Sequence, residues 1–245
     1  MTNLNLHDLS IPVNDGPDQS LENYSTKLSS PHFDTAEVIF RNQELRLLEI
    51  IKDFENGAIF GCVAWLTSTP ILQALGKCKN VQILVQKEDF LRPDLEIKSI
   101  DKWKKELWQL YNNITCEIER HLFRPPMGNL SFASDPTVNG IRCVGNHNFE
   151  KKPAFPRAHH KFLVFCNVIE SEGSIEYLPI GLWTGSFNFT KNATNSFENV
   201  IYFTDESGNN EIINAFLKEH HQIFALSEPL NWEEDWTTPE FRIGT

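Results

Sequence analysis

The chain has 245 residues and a formal net charge of −11, from 22 Lys and Arg against 33 Asp and Glu. Hydrophobic residues make up 40% and charged residues 22%, a globular balance, and 12 Gly with 13 Pro excludes a collagen-like or low-complexity chain. The longest uncharged apolar run, Ala58 to Leu66, is too short for a membrane-spanning helix, and the opening MTNLNLHDLS lacks the features of a signal peptide. A cytoplasmic protein without stable membrane association is expected.

Residues 1–31 are polar and without sustained periodicity, and read as a flexible arm. A domain over 32–226 follows, with a helical and loop insertion at about 90–140, and an acidic tail over 227–245. Leu45, Leu48, Ile51 and Phe54 lie at helical spacing between Asn42 and Phe54, and Gly57 ends that helix. GAIFGCVAWL reads as a strand buried on both faces. Ser68, Thr69 and Pro70 then form a helix start, and ILQALGKC leads into a second buried strand, Val81 to Val85. Such a strand–helix–strand unit implies parallel pairing with a right-handed crossover. Residues 93–120 are strongly helical, 124–140 are turn-rich, and Gly140 to Val144 is a short strand.

Charge and cysteine usage narrow the function. A uniformly acidic surface repels nucleic acid and anionic lipid, but the distribution is uneven. Residues 102–161 hold ten Lys and Arg against five Asp and Glu, whereas residues 198–245 hold two against ten. A basic cleft between acidic ends is therefore open to the chain, as is a merely solvated surface. Five cysteines, an odd count without tight pairing, read as reduced buried thiols. The set Cys143, His147, His159 and Cys166 has the spacing C-x3-H-x11-H-x6-C, which matches no common structural zinc pattern. No metal or other cofactor is expected.

The densest chemistry lies between Pro156 and Glu198. HHKFLVFCNVI (159–169) and EYLPIGLWTGSFN (176–188) read as two strands joined by a turn near Glu172 and Gly173. A hairpin centred there sets Lys161 opposite Thr184 and His159 opposite Ser186. Residues i and i+2 share a strand face, so His159 with Lys161, and Ser186 with Asn188, gather at one end of a buried sheet. Lone polar groups are costly there unless a ligand or mutual hydrogen bonds compensate. A Lys charge, an amide, a hydroxyl and a helix starting near Thr190 together suit a phosphate, and a His among them can attack phosphorus or move a proton. Neither a P-loop, nor GxSxG, nor HExxH occurs.

The pair H-x-K (His159, Lys161) followed by G-S-x-N (Gly185, Ser186, Asn188) resembles the signature of the phospholipase D superfamily. The stretch TGSFNFTKNATNSFENV is similar to its single-motif nuclease-like branch, which includes bacterial endonucleases and mitochondrial cardiolipin hydrolase. The resemblance implies an α/β fold, a mixed β-sheet flanked by helices on both faces. It also implies a metal-independent phosphodiesterase working through a phosphohistidine, in which His159, Lys161, Asn188, Ser186 and Glu198 are the catalytic set. Glu198 would hold the His159 ring in its working tautomer.

One His-x-Lys pair per chain implies a homodimer whose twofold axis brings two His159 residues to one shared site. Cys166 stands where the family carries Asp, five residues after the Lys. Lys151, Lys152 and Arg157 would line a channel for DNA or RNA, in a bacterial phage-defence or restriction setting. The alternatives are a lipid phosphodiesterase of the same superfamily, and a catalytically weakened nucleic-acid-binding subunit with a further protein partner. His160 reads as structural, Trp183 and Phe187 as core or dimer contacts, and His220 with His221 as complements to a helix C-terminus.

Overall fold

The computed structural model describes residues 26–88, 101–116, 140–146, 155–171 and 174–230. Strands β1 (Thr26–Ser30) and β2 (Phe33–Ile39) form an antiparallel hairpin ahead of helix α1 (Gln43–Asp53). The expected flexible arm over residues 1–31 is corrected at its end, since residues 26–30 pair with β2; residues 1–25 lie outside the described residues. In α1 the buried stripe is Leu47, Ile50 and Ile51, while Leu45 is 61% exposed. The helix is thus turned from the expected stripe. Its buried Gln43 donates to the carbonyls of Phe40 at 2.8 Å and Glu198 at 3.0 Å, tying the helix start to the distant Glu198.

The strand–helix–strand unit forms as the apolar runs demand. β3 (Ala58–Val63) and β4 (Asn80–Gln86) are parallel and buried along their whole length. Between them lies α2 (Thr69–Leu75), with Ser68 capping it through the Ile71 N–H and Pro70 in its first turn. α3 (Asp101–Asn112) follows, burying Leu107 and Tyr111, and the Tyr111 hydroxyl donates to the Leu66 carbonyl at 2.6 Å. β5 (Ile141–Val144) then adds in parallel to the outer edge of β4.

The long hairpin β6 (Lys161–Ser171) and β7 (Ser174–Gly185) lies at the centre of the sheet. β8 (Val200–Thr204) pairs with β7 and β2, and α4 (Glu211–Phe224) closes the fold, capped by Asn210. One eight-stranded mixed sheet results, in the order β1-β2-β8-β7-β6-β3-β4-β5.

Alternation along the strands splits the core in two. Ile59, Val63, Leu163, Phe165 and Trp183 face α1, α2 and α3. Phe60, Phe162, Val164, Cys166 and Leu182 face Ile213 and Leu217 of α4. The sheet is therefore covered by helices on both faces, as the family resemblance implies. Each large side chain buried in this way contributes about 1.5–3 kcal/mol relative to exposure. Trp183 and Phe187 are fully buried, so both are core.

Two further expectations need correction. The hairpin register is offset by one at the functional end: Phe162, not Lys161, faces Thr184, because the ladder shifts between Phe165 and Cys166 where Pro179 and Gly181 flank the extra residue Ile180. Proline cannot donate to the ladder, so an irregularity at Pro179 is the natural place to absorb a residue. The helix expected near Thr190 is only a 3₁₀ turn, Ala193–Asn195. The tail expected from residue 227 is docked at its start: Glu228 exchanges backbone hydrogen bonds with Cys143, its carboxylate meets Lys87 Nζ at 2.9 Å, and Leu230 is buried. Residues 231–245 lie outside the described residues. Among the described residues, no helix is long and apolar enough to cross a membrane.

Candidate active site

Three adjacent strands bring their ends together at one end of the sheet: the end of β3, the start of β6 and the end of β7. The Ala64 N–H donates to the His160 carbonyl at 2.8 Å, extending the β3–β6 pairing past its last register pair, Val63 with Lys161. His159 and Lys161 therefore point the same way along one extended segment. Lys161 is 8% exposed, yet its ammonium turns back along the chain. Nζ donates to the His159 carbonyl at 2.7 Å and lies 2.9 Å from Nδ1 and 3.0 Å from Nε2 of the His159 ring.

This placement sets the charge states. Burial lowers the Lys161 pKa from its ordinary value, opposed by the nearby Glu198 carboxylate and the Cys62 thiol. The His159 pKa is also lowered, by partial burial first and then by the positive charges of Lys161 and Arg157 and by His160. A neutral, exposed imidazole held beside a cation can act as a nucleophile towards an anionic ester.

The β7 end is built by close backbone approach. A Cβ on Gly185 would stand 2.1 Å from the Asn199 carbonyl oxygen, so only glycine lets β8 approach there. Next to it, the Ser186 N–H donates to the Asn199 carbonyl at 2.9 Å, and Ser186 Oγ accepts from the Asn199 N–H at 3.0 Å. Ser186 Oγ in turn donates to Glu198 Oε2. Phe187 and Phe189, both fully buried, alternate with Ser186 and Asn188 and hold the segment down. The Phe189 N–H bonds the Trp65 carbonyl at 3.0 Å, and its carbonyl accepts from Thr67 and Ser68 at 2.8 Å. Among the described residues, Asn188 Oδ1 is buried without a hydrogen-bond partner, which costs about 1–3 kcal/mol.

A cleft of about 450 Å³ adjoins these groups, with Trp65, Thr67, Trp103, Asn188, Lys191 and Glu198 in its lining. The Trp65 ring stands edge-on to His159, with centroids 6.3 Å apart and planes at 88°. Trp65 Nε1 donates to Glu88 Oε1 at 3.0 Å, and Arg157 binds the same carboxylate oxygen.

Four of the expected residues, His159, Lys161, Ser186 and Glu198, are linked directly by these contacts and by the field of Glu198 at Lys161; Asn188 shares the cleft with Glu198. Among the described residues the Glu198 carboxylate bonds Ser186. Arg157, expected beside a substrate channel, pairs with Glu88. Lys151 and Lys152 lie outside the described residues.

The zinc alternative loses its geometry as well. Cys143 on β5 and Cys166 on β6 are separated by β3 and β4, about 14 Å of sheet, and Cys143 Sγ lies 3.4 Å from the carbonyls of Glu228 and Pro229. His147 lies outside the described residues. Cys166 is fully buried on the α4 face, opposite to Lys161, and burial pushes its thiol pKa up.

Trp65, Trp103, Glu88 and Gln43 were not singled out from sequence. Trp65 ends an apolar run and looks like core, and Trp103 sits in a helical stripe. The Glu88 and Gln43 partners are far away along the chain.

No family model matches the chain. It is similar to Uncharacterized protein L381 of Acanthamoeba polyphaga mimivirus, with 29% identity over 223 residues, covering 86% of this chain and 71% of that protein. Among solved structures it is similar to Nuc, a phospholipase D family member from Salmonella typhimurium, with a TM-score of 0.46 and 16% identity over 86% of this chain and 100% of that one. It is also similar to NucT from Helicobacter pylori, with a TM-score of 0.46 and 12% identity over 79% of this chain and 98% of that one. At these identities any functional reading rests on the chain's own site.

Proposed function

We propose that the protein is a metal-independent phosphodiesterase that cleaves nucleic acid through a phosphohistidine at His159. The observation that carries this reading is the pinning of the Lys161 ammonium against a neutral, accessible His159 ring. The nucleophile is thereby ready at neutral pH, and a cation is already in place for the phosphoryl oxygens. The Ser186–Glu198 hydrogen bond fixes the second wall of the site, and Asn188 supplies a further polar group to the substrate.

In this mechanism an imidazole nitrogen of His159 attacks phosphorus. A P–N bond forms as the P–O bond to the leaving oxygen breaks, and a general acid delivers a proton to that oxygen. Each chain has one His-x-Lys pair, so the acid is the partner subunit's His159 in a twofold dimer, which enters the reaction as the imidazolium because the two facing rings hold one proton between them. Once deprotonated, that imidazole takes a proton from water; the resulting hydroxide attacks phosphorus, the P–N bond breaks, and both rings are restored. Lys161 from each copy balances the charge that grows on the phosphoryl oxygens.

Chelated cleavage tests the reading. With EDTA present, the wild-type protein is expected to nick plasmid and cut labelled oligonucleotide, whereas His159→Ala and Lys161→Ala are not. Light scattering is expected to give twice the 28.2 kDa chain mass. Binding without cleavage would instead favour a nucleic-acid-binding subunit.

A further inference from the structure

We propose that the cleft beside His159 is a stacking subsite for an unpaired nucleobase, which makes single-stranded nucleic acid the substrate. The inference rests on the phosphodiesterase reading and deepens it. Two tryptophans line the cleft, and both remain accessible within the folded chain, Trp65 at 38% and Trp103 at 40%. An indole left that open on a cleft wall forgoes much of the stabilisation its burial would give. A base sliding against it recovers that stabilisation, and every base offers a π-face.

Trp65 joins the cleft to the reacting group. Its ring lies 6.3 Å from that of His159, and the same residue lines the cleft. A nucleotide whose phosphate meets His159 therefore has its neighbouring base directed to the cleft. The Trp65 indole is also held in advance: Glu88 accepts its Nε1–H at 3.0 Å, Arg157 holds Glu88, and the Trp65 carbonyl is bonded by Phe189. A wall fixed before the ligand arrives costs little order on binding.

Among the described residues, the rest of the lining is mainly polar and suits a base edge rather than hydrocarbon. Thr67, Thr190, Asn188 and Asn192 present hydroxyl and amide groups, and Lys191 is an exposed cation for the backbone. An acyl chain there would strip water from these groups without replacing their hydrogen bonds. In a duplex, each base is already stacked on its neighbours and paired, so entry would require unstacking.

The test uses the full chain and three labelled probes: a short single-stranded DNA, a fully abasic strand of the same length, and the matching duplex. Binding is read by fluorescence anisotropy in EDTA, and cleavage is read in the same samples. Trp103→Ala is expected to weaken single-strand binding about tenfold, and Trp103→Phe to retain most of it. Neither change should affect the abasic strand, and the duplex should bind more weakly than the single strand. Equal losses on intact and abasic strands, an unchanged affinity in Trp103→Ala, or equal affinity for duplex would each overturn the subsite. Circular dichroism of each variant separates these outcomes from misfolding, and a misfolded Trp103→Ala passes the decision to Trp103→Leu. Cleavage without dependence on Trp103 sinks the subsite and leaves the phosphodiesterase reading standing. Trp103-dependent binding without cleavage does the reverse, and failure of every probe to bind overturns the subsite outright.

Discussion

The Lys161 ammonium lies almost equally far from both ring nitrogens of His159, at 2.9 and 3.0 Å, while bonding the carbonyl of that same residue at 2.7 Å. The lysine is therefore tethered beside the ring by its bond to the backbone of the same residue. A fixed positive charge at that distance disfavours a second one on the imidazole.

Lys161→Gln removes that charge, so His159 is expected to titrate at higher pH in the variant than in the wild type. The wild-type midpoint should lie below the ordinary histidine value, given the direction of its shift. Proton NMR of the His159 ring reads both midpoints. The acid limb of kcat/KM should move up with the NMR midpoint, while its plateau falls by about 10²–10³, the usual loss for one charge-stabilising group. An unmoved midpoint would show that Lys161 does not set the protonation of His159.

Cys166 faces away from the chemistry. It is buried among Phe60, Phe162 and Val164 on the α4 side of the sheet, opposite to Lys161. Cys166→Ala is expected to cost about 1 kcal/mol in denaturant unfolding and to leave the cleavage rate within about twofold of wild type. Cys166→Asp should cost several kcal/mol, because the carboxyl would enter an apolar cluster. Comparable unfolding curves for the two variants would contradict this assignment.

His220 links stability to pH. Its ring is fully buried and packs against Phe60 at 5.4 Å and His221 at 5.4 Å. Burial, then His221, lowers its pKa well below the ordinary value, and a backbone contact with Gln82 opposes this without reversing it. It is therefore neutral in the native state, not the cationic complement to the α4 terminus expected from its position. The unfolded chain binds its proton at about pH 6.5, whereas the folded chain does not. The histidine's contribution is thus fully present above that pH and is lost as pH falls towards the native pKa, by up to about 1.4 kcal/mol per pH unit. His220→Phe should flatten the fall in denaturant stability between pH 7 and pH 5. An equally steep fall in the variant would place the acid sensitivity elsewhere.

Much of this arrangement could be read from the chain because the signals are local. The buried runs AIFGCV and VQILV, the Ser68–Pro70 helix start and the two-strand pattern after His159 each act within a few residues. The juxtaposition of His159 and Lys161 followed from them, since residues two apart share a strand face. Features that depend on distant partners were not legible. The irregularity at Pro179 shifts the register by one, the Gln43–Glu198 link joins residues 155 apart, and Glu88 meets Arg157 from 69 residues away. The strand over Thr26–Ser30 was missed for the same reason, as a polar edge strand is defined by pairing with β2 rather than by its own composition.

Covalent trapping looks for the phosphohistidine itself. The protein is mixed in EDTA with a labelled oligonucleotide, quenched with base, since a phosphohistidine is acid-labile, and the peptide carrying the label is identified by mass spectrometry. A phosphoramidate is expected on His159, absent from His159→Ala and accumulating before the second product is released. Cleavage that persists in His159→Ala, or label found on any other side chain, would contradict it.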